Sequence, residues 1–359
     1  LEKIQKISYT MPEVTTSKMC YDLTYEFPVS KSQQSSITSR QSQREIFQTL
    51  TKDPSTMSFI PAIYESLNTE ELKTKMVEKL LVIAKELQSA EHFAEKEIPS
   101  QLKALKTVLS VLKTEDLKYM FETILSLSCS TEEKQIVRNL FFDLCRSSGS
   151  PATVMFLLES IKSEKLTETE MYLTIVTLSH YMTTPTEELI HQVFKTIKSE
   201  AVVSRFWLKG SSHLVFANIV RNACLGSSKS YYPEDVFGKM CTSSNKKIVQ
   251  EYIPHLVQEL KSATTSIDKQ IALWSLGQLA HESVVPIMIN YMEGKTQDST
   301  NQLRKVALYA LSDVAHFYKH KLVPVFLAIA TTPAESRNLR IAAITMLMKC
   351  QPETVYLQK

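Results

Sequence analysis

Two histidines near the end of the chain have the spacing of metal ligands on a helix. His316 and His320 are four residues apart, which places both imidazoles on one helical face, and Asp313 lies one turn earlier. A zinc site uses at least three protein ligands, and apart from Asp313 the sequence offers no evident third one. We therefore predict no metal site, and we interpret His316 and His320, the only metal candidates, as solvated or helix-capping side chains.

Motifs for catalysis are absent from the sequence. It contains no G-x-S-x-G, H-E-x-x-H, P-loop or G-x-G-x-x-G pattern. Glycine is scarce, with 6 in 359 residues, although phosphate-binding loops and tight hairpins depend on it. Net charge is only +3, which does not favour a nucleic-acid partner. We predict no catalytic residues, no cofactor and no enzymatic activity.

Helices are the elements that must position any site. Segments with the pattern of a capping box, in which a polar cap and a glutamate satisfy helix-end amides, recur along the chain; they are 68–71, 130–133, 167–170, 184–187 and 332–335. Prolines suited to a first helical position are Pro54, Pro151, Pro185 and Pro333. Apolar stripes at helical spacing follow these starts, for example Leu72, Met76, Leu80, Ile83 and Leu87. The recurring helix starts and apolar stripes predict an all-α fold. Because their spacing is irregular, we expect a two-layer α-α superhelix of degenerate helix pairs and not a strict repeat.

Three zones divide the chain. Residues 1–29 contain a partly alternating run rich in β-formers, so we expect the end of a β domain that lies mostly outside this sequence. Residues 30–43 are rich in serine and glutamine and predict a flexible linker. Residues 44–359 form the expected helical domain. Because the sequence begins at Leu1, we expect it to be a piece of a longer polypeptide.

Two surface features have both a functional and a structural interpretation. The apolar runs 171–176 and 323–330 could face lipid or a neighbouring sheet, although the inner layer of a solenoid is equally apolar. Five basic residues could form an outer rim for anionic lipid headgroups, or simply a solvated helix face; they are Lys103, Lys106, Lys113, Arg337 and Arg340.

The segment 219–288 resembles the helical domain of vitellogenins and related large lipid transfer proteins. It contains Ile219 to Cys224, a polar loop, Cys241, an amphipathic helix 248–260, and then the helix 271–280 with Val285-Pro286 behind it. The family pattern in that helix ends on glycine, where this chain has Ala280. The order of the three zones, which is the end of a β domain, a serine-rich linker and then helices, is similar to that in insect-type vitellogenins.

The resemblance implies a lipovitellin-like helical horseshoe that wraps a β-barrel and braces a lipid cavity. It implies a secreted, extracellular yolk precursor of haemolymph or plasma, which carries phospholipids and neutral lipids and serves as a nutrient store in the oocyte. The implied partners are lipids, the β-barrel and cavity sheets of the same polypeptide, a vitellogenin receptor and anionic membrane surfaces. The alternative is a HEAT- or armadillo-like protein-binding scaffold of the cytosol.

The cysteines bear on that alternative, because disulfides persist in secreted proteins. The resemblance implies a disulfide between Cys224 and Cys241, which bracket the polar loop; two buried free thiols are the other possibility. Cys129 and Cys145 are expected to lie about 20 Å apart along a helix, too far for a bridge. Cys20 is expected to pair outside this sequence, and Cys350 has no evident partner.

Overall fold

The computed structural model describes residues 69–88, 98–225 and 246–350, apart from 314 and 316. These residues belong to one compact unit, Thr51–Lys359, and within them the regular structure is helical, with no strand. The expected β segment at 1–29, the linker at 30–43 and the start of the helical domain lie outside the described residues.

The described helices follow one another with short connections. The α-helices are α1 (Thr69–Gln88), α2 (Ile98–Leu109), α3 (Thr114–Leu125), α4 (Thr131–Ser148), α5 (Pro151–Lys162), α6 (Glu168–Tyr181), α7 (Glu187–Ile197), α8 (Glu200–Val203), α9 (Phe206–Leu225), α10 (Ile253–Ser262), α11 (Ser266–Gln278), α12 (Val285–Met292), α13 (Asn301–Ala310), α14 (Lys319–Thr331) and α15 (Arg337–Lys349). A π-helical turn, Ile248–Tyr252, precedes α10, and a 3-10 turn, Glu282–Val284, precedes α12.

Successive helices alternate between two layers. In the first layer α2, α4, α6, α9, α11, α13 and α15 contact one another in that order. The second layer contains α1, α3, α5, α7, α10, α12 and α14. Buried apolar side chains from both layers form one continuous core, as expected when stacked helices each bury one face against their neighbours. The prediction of an all-α, two-layer superhelix is confirmed.

Two of the predicted capping boxes form as expected. Ser130 accepts a hydrogen bond from the amide of Glu133, whose carboxylate accepts one from the amide of Ser130. Thr167 and Glu170 make the same reciprocal pair at the start of α6. Pro151 occupies the first turn of α5, behind the cap Ser150. Local sequence therefore determines these three helix starts.

Two other predicted helix starts are wrong. At 184–187 the cap is Thr186, because its amide bonds the carbonyl of Thr184 at 2.9 Å and keeps Pro185 outside α7. At 332–335 no helix begins. Thr332 ends α14, while Glu335 makes a bidentate ion pair with Arg304 at 2.6 and 2.8 Å, leaving Ser336 to cap α15. At 332–335 a tertiary ion pair takes the carboxylate that the capping box needs, whereas at 184–187 the helix cap lies two residues later than predicted.

A partly buried ion pair joins α4 to α6. Arg138 donates to both carboxylate oxygens of Glu170 at 2.8 Å and to the carbonyl of Lys165 at 2.8 Å. Its guanidinium also lies 5.3 Å from the ring centroids of Phe121 and Phe142. Because the charges, the hydrogen bonds and the aromatic faces are all matched, Glu170 is buried with its carboxylate compensated.

Candidate functional site

The apolar run at 171–176 lies in α6 and serves two faces. Met171, Thr174 and Ile175 are buried in the core, while Tyr172 and Leu173 are 42% and 39% exposed. The run at 323–330 differs, because its large side chains in α14 are all buried or partly buried. The core interpretation therefore suffices for α14, whereas α6 also presents apolar surface outward.

The exposed pair on α6 continues across two neighbouring helices. Phe206 and Trp207, at the start of α9, are 67% and 41% exposed, and Ile267, at the start of α11, is 62% exposed. The rings of Tyr172 and Trp207 touch, with centroids 5.9 Å apart. We call Tyr172, Leu173, Phe206, Trp207 and Ile267 the apolar row.

The residues of the row lie near the N-terminal ends of three neighbouring first-layer helices. Two of these helices, α9 and α11, run in the same direction. Near their starts Gly210 lies against Ile271, where an added Cβ would be 2.9 Å from that side chain. Near their ends Arg221 donates to the Oε1 of Gln278 at 2.8 Å. Phe206 and Ile267, each one turn before the first of these contacts, therefore project from the same end.

Exposed apolar side chains also occur on α15, where Ile341, Ile344 and Met348 are 49%, 48% and 56% exposed. In the second layer Tyr119 and Leu125, both on α3, are comparably exposed. A contiguous apolar surface rimmed by polar residues marks an interaction surface in soluble proteins. In the described part of the chain, the exposed large apolar side chains lie mainly on first-layer helices.

The sequence itself contains a signal for the two aromatic residues of the row. Phe206 and Trp207 are adjacent and precede Leu208, which is fully buried. Neighbouring residues on a helix point about 100° apart, so a helix that buries Leu208 turns the two aromatic rings outward.

A cleft of about 320 Å³ lies between α4 and α6, beside the row. Its walls include Gln135, Asn139, Asp143 and Glu170, with Leu173 at the edge. Most of the residues that line the cleft are polar or charged, but the surface that they present is mainly apolar carbon.

The five basic residues proposed as a rim are spread over the fold. Lys103 and Lys106 belong to α2, and Lys113 directly precedes α3. Arg337 and Arg340 belong to α15, and the Nε of Arg340 donates to the carbonyl of Ala330 at 3.0 Å. Because α4, α6, α9, α11 and α13 lie between α2 and α15 in the first layer, the structure does not bring these charges together along it.

The cysteines differ in their state. Cys129, Cys145 and Cys350 are free, and burial raises the pKa of Cys145 and, to about 11, that of Cys350. Cys224, at the end of α9, is disulfide-bonded. Cys20 and Cys241 lie outside the described residues, so the pairing of Cys224 with Cys241 stays a prediction.

Of the two histidines singled out from the sequence, only His320 belongs to the described residues. His316 lies outside the described residues, His320 is exposed, and Asp313 pairs with Arg221. A different group comes together, His213 on α9 with His255 and Glu259 on α10. Sequence reasoning missed it because His213 is 42 residues from His255, and only the fold places α9 against α10.

A family model described as the vitellogenin TPR domain matches residues 74–359. The chain belongs to the vitellogenin family. Among its relatives are the vitellogenins of Anthonomus grandis, 25% identical over 79% of this chain, and Solenopsis invicta, 28% identical over 62%. Vitellogenin-A1 of Aedes aegypti is 27% identical over 60%. These matches cover 16%, 14% and 10% of the relatives, so the chain spans only a small part of their length.

The fold of this vitellogenin segment is also that of a solved protein. A structure of lipovitellin, described by its lipid–protein interactions, superimposes with a TM-score of 0.65. The sequences are 14% identical, and the match covers 81% of this chain and 28% of lipovitellin. The helical fold is therefore shared.

Ala280, where the resemblance to vitellogenins implies glycine, lies two residues after the end of α11 and has a φ of +60°. That left-handed conformation is the one that favours glycine at a helix end. Its carbonyl accepts a hydrogen bond from the hydroxyl of Tyr318 at 2.7 Å. The vitellogenin segment thus keeps the backbone geometry expected of glycine while carrying a methyl group there.

Proposed function

We propose that this vitellogenin segment is the structural helical domain of a secreted yolk-precursor lipid carrier. In the whole polypeptide it wraps the β-barrel and braces the lipid cavity, and so supports lipid transport and nutrient storage. The bound lipids are phospholipids and neutral lipids of the parent protein. Family membership over 74–359 and the fold shared with lipovitellin support this role.

The observation that carries the proposal is the apolar row on the first layer. Its five side chains are 39% to 67% exposed in this chain alone. Covering such side chains stabilises an assembly by roughly 25 cal/mol per Å² of apolar surface. We assign the row to contact with the cavity sheets or the lipid of the same polypeptide.

A cytosolic HEAT- or armadillo-like scaffold is not favoured, because the family model covers most of the chain. The disulfide at Cys224 also supports an oxidising, extracellular location. We propose Cys241 as its partner. None of the described helices is long and apolar enough to span a membrane. A vitellogenin receptor and anionic membranes remain proposed partners of the parent.

The test uses the full-length parent, secreted from cultured cells, with Phe206→Ser and Ile267→Ser together. We expect fewer lipid molecules per secreted protein, because the row no longer presents apolar surface to sheet or lipid. The control is Tyr119→Ser with Leu125→Ser, on the second layer, whose side chains are also exposed, at 50% and 42%. Lipid content is measured by extraction and mass spectrometry.

Both pairs of residues are exposed, so the melting temperature of the 359-residue chain should change little in either variant. Equal lipid content in the row variant, the control and the wild type would contradict the assignment of the row. A loss confined to the row variant supports it.

A further inference from the structure

Three ligand-type side chains converge between the two layers. His213 projects from α9 of the first layer, and His255 and Glu259 project from α10 of the second. The Nε2 atoms of the two histidines are 3.2 Å apart. One ligand atom of each of the three residues lies within 4.8 Å of the other two.

We propose that His213, His255 and Glu259 bind a divalent transition-metal ion, zinc in the first instance, with water as the fourth ligand. Two nitrogens bound to one tetrahedral zinc, each at about 2.0–2.1 Å, lie about 3.3 Å apart. The observed separation of 3.2 Å is already close to that value. Two histidines and one glutamate are an established ligand set for zinc with an open position.

The helix geometry supports the third ligand. His255 and Glu259 are four residues apart on α10, so they lie on the same face of that helix. His213 reaches them from the neighbouring helix and is 5% exposed, which holds its ring in place. The π-helical turn Ile248–Tyr252 directly precedes α10, and such turns occur frequently at functional sites.

Metal binding requires neutral imidazoles, and the surroundings favour that form. Burial, followed by the neighbouring His255, lowers the pKa of His213 to about 4. Burial also lowers the pKa of His255. Phe194 packs edge-on against His255, with centroids 5.3 Å apart and planes at 83°. Burial therefore disfavours the protonated form of both rings, and a neutral imidazole has a lone pair to offer.

One cation competes for the site. The Nζ of Lys209 lies 2.6 Å from the Oε2 of Glu259, and Lys209 is one turn before His213 on α9. Binding of the metal must take the carboxylate from this ammonium group. Removing the ammonium should therefore strengthen metal binding, whereas it would not matter for two histidines that merely share a hydrogen bond.

The test is calorimetric titration of the metal-free 359-residue chain with zinc chloride. We expect one zinc ion per chain, at least about 100-fold weaker binding in His255→Asn and Glu259→Gln, and several-fold tighter binding in Lys209→Met. His320→Asn is the control, because this exposed histidine lies in the other candidate pair. A cobalt titration adds the visible absorption of a tetrahedral ion as a second readout.

Circular dichroism of each variant establishes that it is folded, and His255→Asn and Glu259→Gln are used because both residues are only partly buried. A folded wild-type chain that takes up no zinc at micromolar concentration would overturn the proposal. So would unchanged affinity in folded His255→Asn, or a loss of binding in His320→Asn instead. The lipid content of the parent does not enter this test, so its outcome is independent of the proposed lipid-carrier role.

Discussion

At the residue scale, single side chains determine how the helices end and how they are joined. Ala280 shows how much of this a sequence can reveal. The resemblance to vitellogenins placed a glycine at this position, and the structure has the left-handed φ of +60° that glycine favours. The backbone requirement was therefore readable from the family pattern, although the residue itself departs from it.

Replacing Ala280 by glycine should stabilise the chain. An alanine in the left-handed region costs about 1–2 kcal/mol, and the greater freedom of glycine in the unfolded chain returns roughly half of that. We expect a gain of about 0.5–1 kcal/mol in the free energy of unfolding, measured by urea denaturation. The change Ala272→Gly, inside α11, should instead lower stability by at least about 1 kcal/mol, because a buried methyl group is also lost. A loss of stability in Ala280→Gly would contradict the assigned backbone geometry.

Glu170 gives a prediction about pH. Burial opposes its ionisation, but hydrogen bonds from Arg138 and from the amide of Thr167 prevail and lower its pKa below the ordinary value of 4.5. A group whose folded pKa is lowered stabilises the fold above its unfolded pKa. That contribution is lost as the pH falls through the folded value.

Glu170→Gln should therefore cost about 1–2 kcal/mol at pH 7, because the charge-assisted bonds to Arg138 are weakened. The difference from the wild type should begin to shrink as the pH falls below about 4.5, where the carboxylate of the unfolded chain takes up a proton, and it should vanish below the lowered pKa of the folded state. Urea denaturation at a series of pH values measures this. A difference that stays constant down to pH 3 would show that the charge of Glu170 is not responsible.

At the element scale, the starts of helices were predictable where the cap and its partner are local. Ser130 with Glu133 and Thr167 with Glu170 are such cases. The prediction failed at 332–335, because Glu335 is bound by Arg304, which is 31 residues away. A capping box and a tertiary ion pair require the same carboxylate, and the sequence does not show which of them obtains it.

The junction of α4 and α6 depends on one glycine. Gly149 ends α4 with a φ of +61°, and a Cβ there would lie 1.7 Å from the carbonyl oxygen of Tyr181. Gly149→Ala should cost more than about 3 kcal/mol, since the backbone of one helix must move in addition to the conformational strain. Chemical denaturation measures this cost.

Gly294 is the matched control for that change. It also has a positive φ, +73°, but the nearest atoms to an added Cβ belong to the flexible side chain of Arg304, at 3.6 Å or more. Gly294→Ala should lose only the conformational term of about 1–2 kcal/mol. Equal losses in the two variants would mean that contact between α4 and α6 at Gly149 is not tight.

At the scale of the whole molecule, helical periodicity and low glycine content were enough to predict the two-layer architecture. They were not enough to find the apolar row or the candidate metal site. The apolar row requires the register between α6, α9 and α11, which is set by contacts such as Gly210 against Ile271. The group of His213, His255 and Glu259 likewise depends on packing between layers, which no spacing in the sequence encodes.

The central claim is that the segment serves a lipid carrier, and one measurement tests it most directly. The native full-length parent is purified from its source, its lipids are extracted, and they are identified and counted by mass spectrometry. The account predicts dozens of phospholipid and neutral-lipid molecules per polypeptide. A parent that yields no bound lipid would contradict the lipid-carrier function and would favour the alternative, a protein-binding scaffold.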